Sequence, residues 1–285
     1  MLVLFIAAAI AQQPARDKAL LHPHVEQIVA EKEQEQEQAL RRLLSLGGSA
    51  EEQAEVTARL AAVLRARGLS LSIRAQAEAD QGDEVSAGRD RATAAAVRAE
   101  AIARYRELLK KYPAAPRLDE ALFFLADILQ DSSRDQEAVA AARELVKKYP
   151  RSPWAPASHV FLGEHLFDQA KLAEALHEYR AAAEVPGDEV YPYALYKAAW
   201  CRFNQGAFVD AMKLLRRVVE VSAKAGDQNK VHLAREARRD YVIAYARVGK
   251  PEAARDEFAQ IFGAEAGRKM LEQYGKLLFE TGRDP

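Results

Sequence analysis

The sequence Lys110-Lys111-Tyr112-Pro113 recurs 37 residues later as Lys147-Lys148-Tyr149-Pro150. An alanine precedes the proline by twelve residues in each copy, and two further alanines follow at spacings of 37 and 36 residues. These four alanines are Ala101, Ala138, Ala175 and Ala211. Between them, apolar residues fall at helical spacing in two segments per period. Two short antiparallel helices per period predict a stack of helix pairs, a solenoid.

Residues 194–211 read Ala-Leu-Tyr-Lys-Ala-Ala-Trp-Cys-Arg-Phe-Asn-Gln-Gly-Ala-Phe-Val-Asp-Ala. This stretch resembles the first helix, the turn and the start of the second helix of a tetratricopeptide repeat (TPR). Small residues such as Gly163, Ala175 and Ala199 stand where two helix backbones approach closely in that family. The resemblance covers roughly residues 97–285. It implies an all-α fold, a right-handed TPR helix-pair solenoid (an α–α superhelix) with an N-terminal helical extension.

The family's pattern divides residues 97–285 into about four repeats and an incomplete final one. The fourth repeat is offset by an insertion around residues 223–230, so that Gly206 and Gly249 are 43 residues apart. The final repeat supplies a single apolar helix around Tyr274. We expect this helix to be the least stable of the array, because each repeat of a solenoid is stabilised by its neighbours.

Residues 12–96 form the N-terminal helical region and show no clear repeat. The Glu/Gln run at residues 31–38 fits either a solvated helix face or a coiled-coil segment, and the solvated face is favoured because its apolar residues hold no heptad. The sequence Gly47-Gly48-Ser49 predicts a break in the helices. Ser49 and Glu52 have the spacing of a capping box that opens the next helix.

The first eleven residues differ from the rest of the chain because they form an uncharged apolar run. This run is too short to cross a bilayer, which needs about 20 residues. It matches the apolar region of a secretory signal, and Ala9-Ile10-Ala11 supplies a cleavage pattern, although no basic residue precedes the run. A buried or frayed terminal helix is the alternative. We expect residues 1–11 to be a signal peptide, and the mature chain to have no transmembrane span.

The net charge of −1 and the pI near 6.6 give no single-sign field that would favour nucleic acid or an anionic membrane. Cys201 is the sole cysteine, so an intramolecular disulfide is excluded. A solitary cysteine in an apolar helical pattern is more often a small core residue than a reactive thiol. We therefore expect Cys201 to lie in the core.

The sequence contains no motif that carries known chemistry. It has no Gly-rich phosphate loop, no His-Glu-x-x-His, no Gly-x-Ser-x-Gly and no Cys-x-x-Cys. His159 and His165 are six residues apart, which places them on different faces of a helix and excludes a two-histidine metal site there. We predict that the chain is not an enzyme, and that it has no cofactor, no metal site and no small-molecule substrate.

The resemblance implies that the first helix of each pair lines a concave groove in which protein partners bind. The predicted groove residues are Phe123, Phe167, Tyr193, Tyr196, Trp200, Phe203, Arg239 and Arg247, together with Asp127, Val160, Glu164 and Ile243. Aromatic residues and arginine commonly anchor interfaces, but some of these side chains could instead pack within the chain. Tyr196 and Trp200 are the favoured binding residues. The Lys/Asn clamp of chaperone-tail receptors is absent at these positions.

Repeats slightly longer than usual, with Tyr-Pro and Ser-Pro at their junctions, resemble bacterial envelope TPR proteins. These include proteins of outer-membrane assembly, a Tol-Pal-associated protein and proteins of myxobacterial adventurous gliding motility. The resemblance implies a periplasmic or outer-membrane-associated scaffold whose partners are other envelope proteins. The alternative is the helical arm of a peptidoglycan-processing enzyme whose catalytic domain lies outside this chain. Sequence downstream of residue 285 would distinguish the two.

Overall fold

The structure, a computed structural model, describes residues 23–222 and 228–282. The predicted signal peptide at residues 1–11 and the insertion residues 223–227 lie outside these ranges. The described residues form twelve α-helices and no strand. The helices are α1 (Pro23–Leu46), α2 (Ala50–Asp80), α3 (Glu84–Lys111), α4 (Leu118–Asp131), α5 (Asp135–Lys148), α6 (Ala155–Asp168), α7 (Leu172–Ala182), α8 (Tyr191–Asn204), α9 (Phe208–Ser222), α10 (Gln228–Val248), α11 (Ala254–Phe262) and α12 (Ala264–Glu280). A short 3₁₀ turn, Pro251–Ala253, precedes α11.

The alanines that mark the sequence period lie at the buried crossings of helix pairs. Each of the four, Ala101, Ala138, Ala175 and Ala211, has no exposed surface, and Ala254 in α11 continues the series. A larger side chain at these positions would push the two helices apart, because protein interiors are close-packed.

Helices α2–α3, α4–α5 and α8–α9 pack as pairs. Side-chain contacts join α6 to α7, where Gly163 meets Tyr179, and α10 to α11, where Tyr245 meets Phe258. The predicted all-α helix-pair fold is confirmed.

The first pair is longer than the others and begins before the predicted array. Helix α3 runs without a break from Glu84 to Lys111, so the predicted boundary at residue 97 falls inside a helix. Helix α2 begins with the predicted capping box: the Ser49 amide donates to Glu52 Oε2 at 2.8 Å and the Glu52 amide to Ser49 Oγ at 3.2 Å. Helices α2 and α3 thus pack together across the predicted boundary.

Helix α1 is attached to this pair by a cluster of ion pairs. Glu37 is buried. Its Oε1 lies 2.8 Å from Arg41 Nη2, and its Oε2 lies 2.5 Å from Arg67 Nη1. Arg41 also reaches Glu100 of α3 at 2.6 Å. The rest of the Glu/Gln run at residues 31–38 is largely exposed, as predicted for a solvated face.

Three turns within pairs share one backbone geometry. Ser133, Ala170 and Gly206 each have a positive φ, at 56°, 57° and 76°. In each turn the amide of this residue donates a hydrogen bond to the carbonyl oxygen three residues earlier. The amide of the next residue donates to the carbonyl oxygen five residues earlier. This left-handed helix ending favours glycine, so Ser133 and Ala170 hold a conformation that costs an L residue about 1 kcal/mol or more.

The chain divides into two compact units, residues 1–158 and residues 159–285, with the division inside α6. In the second unit, Gly163 lies against the ring of Tyr179, where an added Cβ would stand 2.6 Å from a ring atom. A small residue is therefore required there, as predicted from the repeat pattern.

The C-terminal part of the second unit is an aromatic core. Tyr245, Phe258 and Tyr274 meet edge to face, with ring centroids 4.8 to 6.0 Å apart. Met270 and Leu278 of α12 are buried in the same cluster, so α12 packs on α10 and α11. Gly275, in contrast, has open space around it. The expectation that α12 is the least stable helix concerns its dynamics and stays a prediction.

Candidate protein-binding surface

The groove position of α4 is covered by the chain's own side chains. Phe123 stacks on Trp154 with ring centroids 4.6 Å apart and an interplanar angle of 24°. Phe124 lies 5.1 Å from the same tryptophan ring. The guanidinium of Arg65, from α2, sits 4.0 Å from the centroid of Phe124. We refer to these residues, together with Asp127, as the closed site.

Asp127 sits beside Arg65 in the closed site. Arg65 Nη1 lies 3.4 Å from Asp127 Oδ2, and about a fifth of each side chain is exposed. The pKa of Asp127 is raised to about 6: burial and the neighbouring Asp131 raise it, while Arg65 opposes both. The closed site therefore holds a carboxylate that its environment only partly stabilises.

The groove position of α6 is also occupied from within the chain. Glu164 accepts hydrogen bonds from Tyr179 at 2.6 Å and from Tyr193 at 3.2 Å. Lys197 Nζ lies 3.0 Å from Glu164 Oε2 and 4.3 Å from the ring centroid of Phe167. Burial, followed by the nearby carboxylate, raises the pKa values of both tyrosines, which keeps them as hydrogen-bond donors.

Two predicted groove residues are corrected by this arrangement. Tyr193 is 3% exposed and Val160 is 1% exposed, so neither presents its side chain to a partner. The TPR pattern places Tyr193 on the groove side, but the hydroxyl reaches across to Glu164 and the ring becomes part of the core. Phe167 is half-buried beneath Lys197, which covers one face of its ring.

The remaining aromatics of α8 border an open pocket. Trp200 and Phe203 are half-buried and meet edge to face at 5.4 Å. With Asp240 and Ile243 of α10 they line a shallow pocket that is open to solvent on one side, and we refer to these four residues as the open site. Tyr196 donates its hydroxyl to Asp240 Oδ2 at 2.6 Å.

Arg239 and Arg247, the two predicted arginines, are both exposed on α10. Arg239 pairs with Glu236 one turn earlier, and its Nε also lies 3.4 Å from Asp240 Oδ1. Of the eight predicted binding residues, the structure thus brings Tyr196, Trp200 and Phe203 together at one pocket. It places the two arginines on the next first helix.

Three residues of the closed and open sites were not predicted from the sequence. Trp154 lies just before α6, outside the repeat pattern, and Arg65 belongs to the long α2 helix. Asp240 stands in the charged sequence Arg238-Arg239-Asp240, which is typical of a solvent face, yet it is 3% exposed. Its spacing of three residues from Ile243 is the one signal that could have placed it on the groove side.

No site for metal or thiol chemistry emerges from these residues. Within residues 23–222 and 228–282, no group of three or more His, Cys, Asp or Glu side chains could hold a metal ion. Cys201 is buried, as predicted, and burial raises the pKa of its thiol to about 11. In the same part of the chain, no helix is both long enough and apolar enough to span a membrane.

Residues 98–153 and 162–230 match the family model of the tetratricopeptide repeat. The chain is also similar to a tetratricopeptide repeat protein of known structure from Parabacteroides merdae, with 17% identity over 76% of this chain and 74% of that one, and a TM-score of 0.45. No curated protein matches the sequence. TPR proteins generally mediate protein–protein interactions.

Proposed function

We propose that this TPR protein is a non-catalytic interaction module, and that its second unit binds a protein partner at the open site. The observation that carries the proposal is the half-buried pair Trp200 and Phe203, which borders a pocket that no residue within 23–222 and 228–282 fills. Large aromatic side chains around a pocket are typical anchors of protein interfaces. The corresponding aromatic faces on α4 and α6 are already occupied by Trp154 and Lys197.

The proposed setting is a bacterial envelope complex. It is supported by the apolar run at residues 1–11 and by the Tyr-Pro and Ser-Pro repeat junctions, which resemble envelope TPR proteins of outer-membrane assembly or gliding motility. The second candidate, the helical arm of a peptidoglycan-processing enzyme, would need a catalytic domain encoded beyond residue 285. Further TPRs downstream would favour the scaffold.

Affinity capture tests the binding proposal. The wild-type chain and the Trp200→Ala variant are immobilised at equal density and exposed to an envelope fraction, and the retained proteins are quantified. Phe279→Ala is the matched control, because Phe279 is an exposed aromatic of α12 outside the open site. We expect a protein retained by wild type and control to be depleted at least about 10-fold by Trp200→Ala, as for an interface anchor. Equal retention by all three chains would refute the proposal.

Protein expressed with its own start tests the export proposal. Cleavage after Ala11 would leave Gln12 as the first residue of the periplasmic protein. N-terminal sequencing of fractionated cells reads this directly. Intact chain beginning at Met1 in the cytoplasm would contradict export without affecting the binding proposal.

A further inference from the structure

The closed site shows how this chain places a cation between an aromatic ring and a carboxylate. The guanidinium of Arg65 lies over Phe124 at 4.0 Å and also contacts Asp127 at 3.4 Å. One cation thereby meets the electron-rich face of a ring and a partly buried carboxylate together. Both interactions are stronger where water is excluded.

The same arrangement recurs on α6 with a different cation. Lys197 of α8 lies 4.3 Å from the ring of Phe167 and 3.0 Å from Glu164. In both sites the aromatic ring and the carboxylate stand three residues apart on one helix, and the cation comes from another helix. The arrangement is thus present once in each compact unit of the protein.

The open site has the ring and the carboxylate but lacks the cation between them. Trp200 and Phe203 supply the aromatic walls, and Asp240, 4% exposed as a side chain, supplies the carboxylate. Among the residues that the structure describes, no Lys or Arg lies over either ring. Here the carboxylate belongs to α10 and the rings belong to α8. The pocket lies between these two helices.

The groups facing Asp240 leave its charge incompletely neutralised. The Tyr196 hydroxyl orients Oδ2 but carries no charge. Arg239 Nε donates to Oδ1 at 3.4 Å, the same distance as between Arg65 and Asp127, but Arg239 also pairs with Glu236. The three charged groups therefore sum to a net charge of −1. A buried carboxylate is costly unless it is paired with a cation or well hydrogen-bonded.

We infer that the open site receives a basic side chain, lysine or arginine, from a peptide segment of the partner protein. The basic side chain would lie against Trp200 and Phe203 and direct its charge at Asp240 Oδ1, as Arg65 and Lys197 do within the chain. This inference rests on the proposed function and adds the chemistry of the partner. It also means that the groove selects the opposite charge from a clamp for C-terminal carboxylates.

Panning of a random 12-residue peptide display library on the immobilised protein tests the inference. The bait proteins are wild type, Asp240→Asn and the control Asp210→Asn, which removes the same charge from an exposed aspartate on α9. Circular dichroism and the thermal midpoint establish that both variants fold. A second variant, Trp200→Leu, removes the aromatic wall and leaves the carboxylate in place.

We expect wild type and Asp210→Asn to select peptides with Lys or Arg at one fixed position, and Asp240→Asn and Trp200→Leu to lose that preference. Replacing the basic residue of a selected peptide by Gln should weaken binding to wild type at least about 10-fold, but less than about 3-fold for Asp240→Asn. Comparing Lys with Arg at that position then identifies which cation is preferred.

Three results would overturn the inference. Selection of peptides without a basic residue at a fixed position would show that the pocket binds by another chemistry, while the proposed binding function would stand. Identical preferences on wild type and Asp240→Asn would place the basic residue elsewhere. Failure of wild type to enrich any peptide above an uncoated surface would overturn both the inference and the proposed function.

Discussion

The first helices α4 and α8 both carry aromatic residues that the repeat pattern assigns to the groove, Phe123 on α4 and Trp200 on α8, yet the two surfaces differ in what covers them. On α4, Trp154 stacks on Phe123 and Arg65 lies over Phe124. On α8, Trp200 and Phe203 border a pocket that no residue of the described chain fills. An aromatic residue at a groove position is therefore a binding candidate only where the chain leaves its ring face open.

The difference originates outside the repeat pattern. Trp154 lies in the connection between α5 and α6, and Arg65 comes from the long α2 helix. Both side chains reach α4 from neighbouring elements and complete its surface. We therefore expect residues of the closed site to contribute to stability and residues of the open site to contribute to binding.

Trp154→Ala should have the largest effect on stability. The substitution uncovers Phe123 and Phe124. Because Trp154 is half-buried, we expect a loss of about 3 kcal/mol, at the low end of the range for truncating an aromatic residue. Urea denaturation followed by circular dichroism measures it.

Trp200→Ala is the matched variant in the open site, and it should cost no more than about 1 kcal/mol because the pocket is already partly open. The chain has two tryptophans, one in each unit, so each variant retains the tryptophan of the other unit as a fluorescence reporter. Equal losses for the two variants would remove the distinction between closed and open sites.

The pH dependence of stability should single out Asp127. Its folded-state pKa of about 6 lies above the usual 3.8, so its protonated form is favoured by folding. The stabilisation is complete below pH 4 and is lost as the pH rises through 6. Because part of the side chain is exposed, we expect a change of about 2 kcal/mol rather than the full value.

Denaturation of wild type and Asp127→Asn between pH 4 and pH 7 reads this effect. The variant should gain about 2 kcal/mol relative to wild type as the pH rises. For Asp210→Asn, in which an exposed aspartate is replaced, the free energy of unfolding should change with pH as it does for wild type. If the free energy of unfolding of Asp127→Asn also follows that of wild type with pH, burial of Asp127 does not perturb its pKa.

The turns of the two regions allow a reciprocal test with a smaller effect. Ser133 ends α4 and Gly206 ends α8 with the same left-handed geometry. Ser133→Gly should stabilise the chain and Gly206→Ala should destabilise it, each by about 1 kcal/mol, since an added Cβ at Gly206 meets open space and only the backbone strain changes. Thermal midpoints check both signs. Changes of the same sign in the two variants would show that the turns are not equivalent.

The repeat architecture was predictable because each helix crossing requires a small residue at a fixed position in the repeat. Alanines such as Ala138 and Ala211 recur wherever two helices cross, and their small size is visible in the sequence. The binding surface was only partly predictable. Tyr193 and Trp200 are seven residues apart and share a helix face, yet one is buried beside Glu164 and the other borders the pocket. Helical periodicity cannot separate them, because the difference lies on a neighbouring helix.

Binding affinities of closed-site and open-site variants test the central claim most directly. A peptide selected on the wild-type protein is titrated by calorimetry into wild type, Trp200→Ala and Trp154→Phe, a conservative change in the closed site that keeps an aromatic ring on Phe123. If the open site is the binding surface, Trp200→Ala weakens binding by about 2 kcal/mol or more while Trp154→Phe leaves the affinity unchanged. Equal affinity for all three proteins, or a larger loss with Trp154→Phe, would contradict it.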